Sequence, residues 1–244
     1  MAKIDKTQYT KEEFRLIKEQ RRLQKMQNTV VSSNIAPSRP LPTSKIAFVL
    51  GNGVSRASID PPELKTLGTI YGCNALYRTF SPDYLIAVDT KMVMEIASHG
   101  YYKEHKVYTN PNKYSQTVEG LNLLNPNKGW SSGPTALWLA STHKYKTIYI
   151  LGFDYLGIGS DNDKVNNLFA DTKNYKRSDE RATYYGNWVR QTTMTINTNP
   201  RTKYIRVTEN NRGFVPDQLK DLQNLYHQSI PEFVQKFSLK VLPV

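Results

Sequence analysis

The sequence has a single cysteine in 244 residues, only four histidines, no internal repeat and no long apolar run. With Cys73 alone, neither an intrachain disulfide nor a cysteine-based zinc site can form, and a reducing compartment is expected. His99, His105, His143 and His227 show no ligand spacing, so no histidine set replaces the missing thiols. No stretch approaches the roughly 20 apolar residues of a membrane helix, and Met1 to Thr10 has no apolar signal-peptide core. The expectation is a cytoplasmic protein with no membrane span. Acidic residues are also scarce: 21 Asp and Glu face 33 Lys and Arg, a formal net charge of +12.

What is present reads as a folded chain. Hydrophobic residues make up 39%, charged ones 22%, and there are sixteen tyrosines, which excludes global disorder; the length gives one domain of ordinary to large size. The charge is uneven. Residues 1–44 carry net +5 and the remainder net +7. Thr10 and Glu13 have capping-box spacing, Glu12 and Glu13 suit a helix start, and Lys18, Arg21, Arg22 and Lys25 suit its end, so a helix is expected from about Thr10 to Met26. Ser32 to Ser44, with Pro37, Pro40 and Pro42, reads as an extended linker. Residues 1–44 thus form a basic helical arm with its linker, and 45–244 the folded domain. A basic arm attracts polyanions, nucleic acid among them; oligomerisation is left open.

From Lys45 onward short apolar runs alternate with helix-length segments. Strands are expected at Ile46–Leu50, Thr69–Tyr71, Tyr84–Val88, Lys106–Tyr108, Thr147–Leu151 and Lys203–Val207, and helices at Lys91–Ser98, Pro134–Thr142, Glu180–Asn197 and Asp217–Gln228. That alternation describes an α/β, Rossmann-like domain: a largely parallel sheet with helices on both faces.

In such a sheet ligands bind beyond the carboxyl ends of the strands. The first strand leads into Gly51-Asn52-Gly53-Val54-Ser55-Arg56, a turn whose glycines let the backbone approach a phosphate while Asn52 and Ser55 offer neutral hydrogen bonds. Arg56 stands where a dinucleotide fingerprint has its third glycine, which argues against NAD. Asn74 follows the second strand, where a dehydrogenase carries a ribose-binding acid. Asp89 follows the third, either as a polar group at the same rim or as a helix N-cap. Ser131-Ser132-Gly133-Pro134 opens a helix whose free N–H groups hold an anion or are simply capped. The strand ending at Leu151 is followed by Gly152-Phe153-Asp154-Tyr155, a carboxylate and a phenol at the rim. Asp161 and Asp163 are either a divalent-ion pair or ordinary loop residues. Tyr184 and Tyr185 can donate to a leaving phosphate, and Asp179 or Glu180 can serve as base.

In order and spacing, Gly51-Asn52-Gly53-x-Ser55, Cys73-Asn74, Ser132-Gly133 and Ile148 to Tyr155 resemble the bacterial lipooligosaccharide sialyltransferases and the wider group containing motility-associated factors and 6-hydroxymethylpterin diphosphokinase-like proteins. The resemblance spans roughly Lys45 to Val207. It implies a metal-independent glycosyltransferase using a CMP-activated sugar. Asn52 and Gly53 would touch the nucleotide, Asn74 its ribose or base, and Ser132 and Gly133 the phosphate or sugar, with Gly152 to Asp154 lining the same cleft and Tyr155 as the nearest phosphate-binding tyrosine. The family's catalytic histidine is replaced by Asn187 in Tyr184-Tyr185-Gly186-Asn187, and an amide cannot accept a proton at neutral pH.

The expected nucleotide-binding set is therefore Gly51, Asn52, Gly53, Ser55, Asn74, Ser132, Gly133, Gly152 and Tyr155, and the expected catalytic set Asp154, Tyr185 and Glu180. The expected partner is a nucleotide-sugar donor, with no further cofactor, and a hydroxyl acceptor that includes a polyanion such as modified DNA. Composition and size resemble proteins of tailed phages, for which the compartment is the host cytoplasm. Two alternatives stand beside this reading: a transferase fold without catalysis acting as a nucleic-acid-binding or virion-associated module, and a metal-dependent pyrophosphokinase using Asp161 and Asp163.

Overall fold

The alternation of β-branched and aromatic runs with helical segments folds as a single eight-stranded sheet in which every pairing of named strands is parallel. The structure is a computed structural model that describes residues 45–209 and 214–243. All of these belong to one unit, Pro42–Val244. The helix expected at Thr10–Met26 and the linker Ser32–Ser44 lie outside the described residues. The strands are β1 (Ile46–Leu50), β2 (Thr69–Cys73), β3 (Tyr84–Ile86), β4 (Val107–Thr109), β5 (Asn122–Leu123), β6 (Thr147–Leu151), β7 (Lys203–Thr208) and β8 (Leu225–Ser229). The helices are α1 (Pro61–Lys65), α2 (Thr90–Ser98), α3 (Ser132–Thr142), α4 (Gly186–Asn197), α5 (Asp217–Lys220) and α6 (Ile230–Phe237).

The order across the sheet is β5-β4-β3-β2-β1-β6-β7-β8. The chain builds outward from β1 to β5, returns through α3, and resumes at β6 on the other side of β1. Strand order therefore reverses between β1 and β6, and the carboxyl ends of these two strands diverge into a crevice. Because side chains alternate across a strand, a strand buried on both faces reads as an unbroken apolar run. Ala47 and Val49 face a core with Tyr71, Ile148, Ile150 and Tyr204, while Phe48 and Leu50 face Ile70, Tyr149, Leu151, Ile205 and Phe233 of α6. Helix α3 packs on β1, β2, β3 and β6 and is buried around most of its circumference, which explains its lack of a polar face.

Two expected helices are corrected. The segment 180–197 is helical only from Gly186, because 180–185 belongs to the loop beside the crevice. The helix expected over Asp217–Gln228 stops at Lys220, and Leu225–Ser229 is instead the edge strand β8, whose central residues Tyr226 and His227 are exposed. An edge strand open to solvent on one side has no apolar run to reveal it. Helix α6 was also missed although its start is written in the sequence: Ser229 and Glu232 form a reciprocal capping box with proline in the first turn. No helix among the described residues is long and apolar enough to cross a membrane.

Phe48 is fully buried and stacks on Tyr149 at 5.5 Å between centroids, with Phe233 and Phe237 edge-on at 6.2 and 5.9 Å. Phe48→Ala is expected to lower unfolding stability by roughly 3–5 kcal/mol, read as a shifted urea midpoint at unchanged slope.

Candidate functional site

The crevice begins where two main chains touch. Gly51 N–H donates to Leu151 O at 2.8 Å and Gly53 N–H to Gly152 O at 3.0 Å, continuing the β1–β6 ladder past both strands. A Cβ on Gly51 would lie 2.5 Å from Gly152 O, and Gly152 has φ +67°, so neither position accepts a side chain without displacement. Beneath this contact lies Arg56, 6% exposed, on a short 3-10 turn (Val54–Arg56). Its Nε donates to Gly51 O and its Nη2 to Asn52 Oδ1 at 3.3 Å. Burial lowers its pKa to about 10, so it remains a cation at neutral pH. A second buried guanidinium, Arg206 of β7, donates to Phe153 O at 2.9 Å and Phe214 O at 2.8 Å and lies 5.0 Å from the Tyr155 ring. Burial lowers its pKa as well.

Around this floor opens a cleft of about 570 Å³. Of the residues expected to bind nucleotide, Gly51, Asn52, Gly53, Asn74, Ser132, Gly133, Gly152 and Tyr155 all line it, as does Asp154 from the expected catalytic set. Several of them are already committed to one another. Asn52 Nδ2 donates to Cys73 O at 3.2 Å and to the Tyr175 hydroxyl at 3.3 Å, while its Oδ1 accepts from Arg56, so the amide brackets β1, β2 and the loop before α4. Ser55 is not on the cleft wall. Its backbone N–H (3.0 Å) and hydroxyl both donate to the Asp154 carboxylate, pinning that acid across the glycine turn. Ser132 Oγ donates to Asn74 Oδ1 at 2.8 Å and accepts from Val88 N–H at 3.1 Å, joining the ends of β2 and β3 to the start of α3. Tyr155 has φ +68°, its hydroxyl faces Thr192, and burial raises its pKa.

Three groups on the wall are left facing the cavity. Asn74, held at φ +50°, keeps its amide nitrogen free of hydrogen bonds among the described residues. The first turn of α3 presents backbone N–H groups, and Ser131 at its N-cap makes no side-chain cap. Asp89 occupies the N-cap position of α2 without capping it, and its exposed carboxylate has neither a hydrogen bond nor an ion pair among the described residues. The capping role considered for Asp89 is thus corrected: its backbone is at the helix start, but its carboxylate is on the cleft.

The other expected catalytic residues are elsewhere. Glu180 is exposed and off the cleft wall, its carboxylate accepting from Arg177 N–H at 2.9 Å. Asp179 pairs with Arg177 at 2.9 Å. Tyr185 is half-buried against Tyr184 and Phe214 and does not line the cleft. Asn187 is exposed and off the wall; its neighbour Trp188 lines the cleft instead. Asp163 makes only a 3.8 Å pair with Lys164, and no group of three or more His, Cys, Asp or Glu able to hold a metal is present among the described residues.

Sequence reasoning placed candidates in the loop of residues 152–185, which closes one side of the site, but missed its segment 165–176. Asn166, Asn174 and Tyr175 line the cleft from it. Asn166 Oδ1 accepts from Val54 N–H at 2.8 Å, and Tyr175 accepts from Ala75 N–H at 3.3 Å. The far end of the loop is tied down by Glu95 of α2, 4% exposed. This carboxylate accepts from the Tyr77 hydroxyl at 2.6 Å, from Arg78 Nε and Nη2 at 2.8 Å each, and from Asn174 Nδ2 at 2.7 Å. A loop of this length inside a domain, rich in asparagine, was the available signal. Arg206 had a signal too, as a cation in the middle of an apolar strand.

Burial alone would raise the Glu95 pKa, but the hydrogen bonds from Tyr77, Arg78 and Asn174 outweigh it and hold the carboxyl below its usual value. A depressed folded-state pKa contributes stability above the unfolded value near 4.3, lost as pH falls through the folded value. Glu95→Gln is expected to cost about 1–3 kcal/mol at pH 7, and the gap from the parent protein should narrow as urea unfolding is repeated from about pH 4 downward. The same variant should open residues 172–176 to faster amide exchange. No protein-family model, curated protein or solved structure matches this chain.

Proposed function

We propose that this chain is a nucleotide-sugar glycosyltransferase that binds a CMP-sugar-like donor and transfers the sugar to an acceptor hydroxyl. The observation that carries the reading is the cleft at the β1/β6 divergence, lined by a neutral amide and a helix start and underlain by two buried arginines. A phosphate gains from the α3 N–H groups and from the positive charge of Arg56 and Arg206, whose donors are held on main-chain carbonyls and on the Asn52 amide oxygen and need no rearrangement. Asn74 Nδ2 offers a directed donor to a ribose hydroxyl or a pyrimidine carbonyl. The β2 end carries an amide rather than a carboxylate, which fits this donor class better than a dinucleotide.

Transfer needs a base, and two carboxylates line the cleft. Asp154 is held by both donors of Ser55, whereas Asp89 is unengaged. Asp89 therefore takes the proton of the acceptor hydroxyl as the new C–O bond forms at the sugar anomeric carbon. The anomeric carbon–phosphate oxygen bond breaks, and the leaving CMP carries the negative charge toward the start of α3. In this reading Asp154 is a positioning residue for the glycine turn.

Calorimetric titration of the full chain with CMP, UDP and ATP, with and without magnesium, tests the donor. CMP binding without metal is expected; metal-dependent ATP binding would favour the pyrophosphokinase reading, and no nucleotide binding would sink both. For the base, Asp89→Asn is expected to leave CMP affinity within about twofold and to lower turnover of a CMP-sugar by roughly 10²–10⁴. CMP binding by a parent protein with no turnover of any sugar donor would favour the non-catalytic module.

A further inference from the structure

The edge of the sheet opposite the cleft carries a second feature, independent of the donor chemistry. In an all-parallel sheet the residues just before each strand emerge together at the amino edge, about 17 Å from the carboxyl edge for five-residue strands. At the amino ends of the adjacent strands β1, β6 and β7 stand Lys45, Lys144, Lys146, Arg201 and Lys203, all exposed. The strands are in register there: Thr147 N–H donates to Lys45 O at 3.2 Å and Lys203 N–H to Lys146 O at 2.9 Å. None of the five cations has an ion pair among the described residues. The acids just before strands are on the other side of β2, with Asp83 before β3, Glu104 before β4 and Glu119 before β5; Asp221 lies between α5 and β8. Lys106 stands directly before β4 among those acids, whereas no Asp or Glu stands with the cations in the segments 143–146 and 198–202 that lead into β6 and β7. Beside this patch of cations, on edge strand β8, Tyr226 is 49% exposed, with Lys203 Nζ 4.4 Å from its ring centroid.

We infer that this edge is a binding surface for single-stranded nucleic acid. Five cations without a carboxylate partner among the described residues, at the ends of three strands about 4.8 Å apart, offer successive charges to a phosphate backbone. The exposed Tyr226 ring offers a face on which a base can stack, and cations beside an aromatic platform are what non-specific single-strand sites combine. An anionic polymer without bases would use the lysines and gain nothing from the ring. A strand held here leaves the cleft free, since the two edges are separated by the length of the sheet.

The test is fluorescence anisotropy of the full chain with a labelled 20-nucleotide oligothymidylate over a range of salt. The double variant Lys146→Glu and Lys203→Glu is expected to bind at least about tenfold more weakly, with a salt slope flatter by about 1.4. Tyr226→Ala should weaken binding by about fivefold or more while leaving the salt slope unchanged. The pair Lys103→Glu and Lys113→Glu changes net charge equally at a distance from the patch and should stay within about twofold of the parent. All five positions are exposed, so folding can be verified by an unchanged far-ultraviolet dichroism spectrum. Equal losses from the two double variants would overturn the inference by reducing it to net charge. An unaffected Tyr226→Ala, with polyglutamate competing as well as the oligonucleotide, would overturn it in favour of a generic polyanion surface. No binding by the parent protein would overturn it outright.

Discussion

The carboxyl edge of this protein depends on the close approach of two main chains, at Gly51 and Gly152, over a buried guanidinium. The β1–β6 ladder continues one step beyond both strands at this point, and only glycine fits where each backbone occupies the other's Cβ position. Arg56 caps the carbonyl of Gly51 from below and reaches Asn52, which in turn holds the end of β2. A dinucleotide-binding domain uses a third glycine at this place so that a helix packs against the strand. Here the chain makes a 3-10 turn instead, and the arginine tucks under it.

That substitution changes what the cleft can do. Two buried cations, Arg56 and Arg206, donate to main-chain carbonyls of the cleft walls, with no carboxylate hydrogen-bonded to either among the described residues. The Asp154 carboxylate on the cleft wall acts on both by charge, so the cavity floor is a pair of cations offset by one acid, with the arginines' own geometry satisfied. The side chains most visible as ligands, Asn52, Ser55 and Ser132, are bonded to neighbouring elements and act as brackets. The groups left facing the cavity are fewer: the Asn74 amide nitrogen, the start of α3 and the Asp89 carboxylate. The division between brackets and free groups separates a scaffold from its chemistry.

Much of the fold was legible because β1, β6 and β7 are buried on both faces and so appear as apolar runs, with β1 and β6 matching their expected bounds and β7 one residue longer. The turns after them followed, since a parallel sheet gathers strand ends at one rim. What escaped was decided by contacts distant in sequence. β8 is an edge strand in which only the end residues, Leu225 and Ser229, are buried. Tyr185 and Glu180 looked catalytic by their neighbours in the chain, yet the loop containing them turns those side chains away from the cleft. Asp89 read equally as a rim group or a cap; its backbone stands at the cap position, and its side chain makes no cap because α2 starts without it.

The sequence by itself determined the alternation of strands and helices, the two glycine turns, the absence of cysteine and histidine sets for a metal, and the excess of positive charge. These follow from local composition and from a period of two or 3.6 residues, which need no partner to be read. Tertiary structure alone decided which polar groups are free. A hydrogen bond such as Ser55 to Asp154, or Asn174 to Glu95, joins residues 99 and 79 positions apart, and no pattern along the chain announces it. It also decided where the charge lies: Lys45, Lys146 and Lys203 are far apart in sequence and become one surface because parallel strands begin at the same edge.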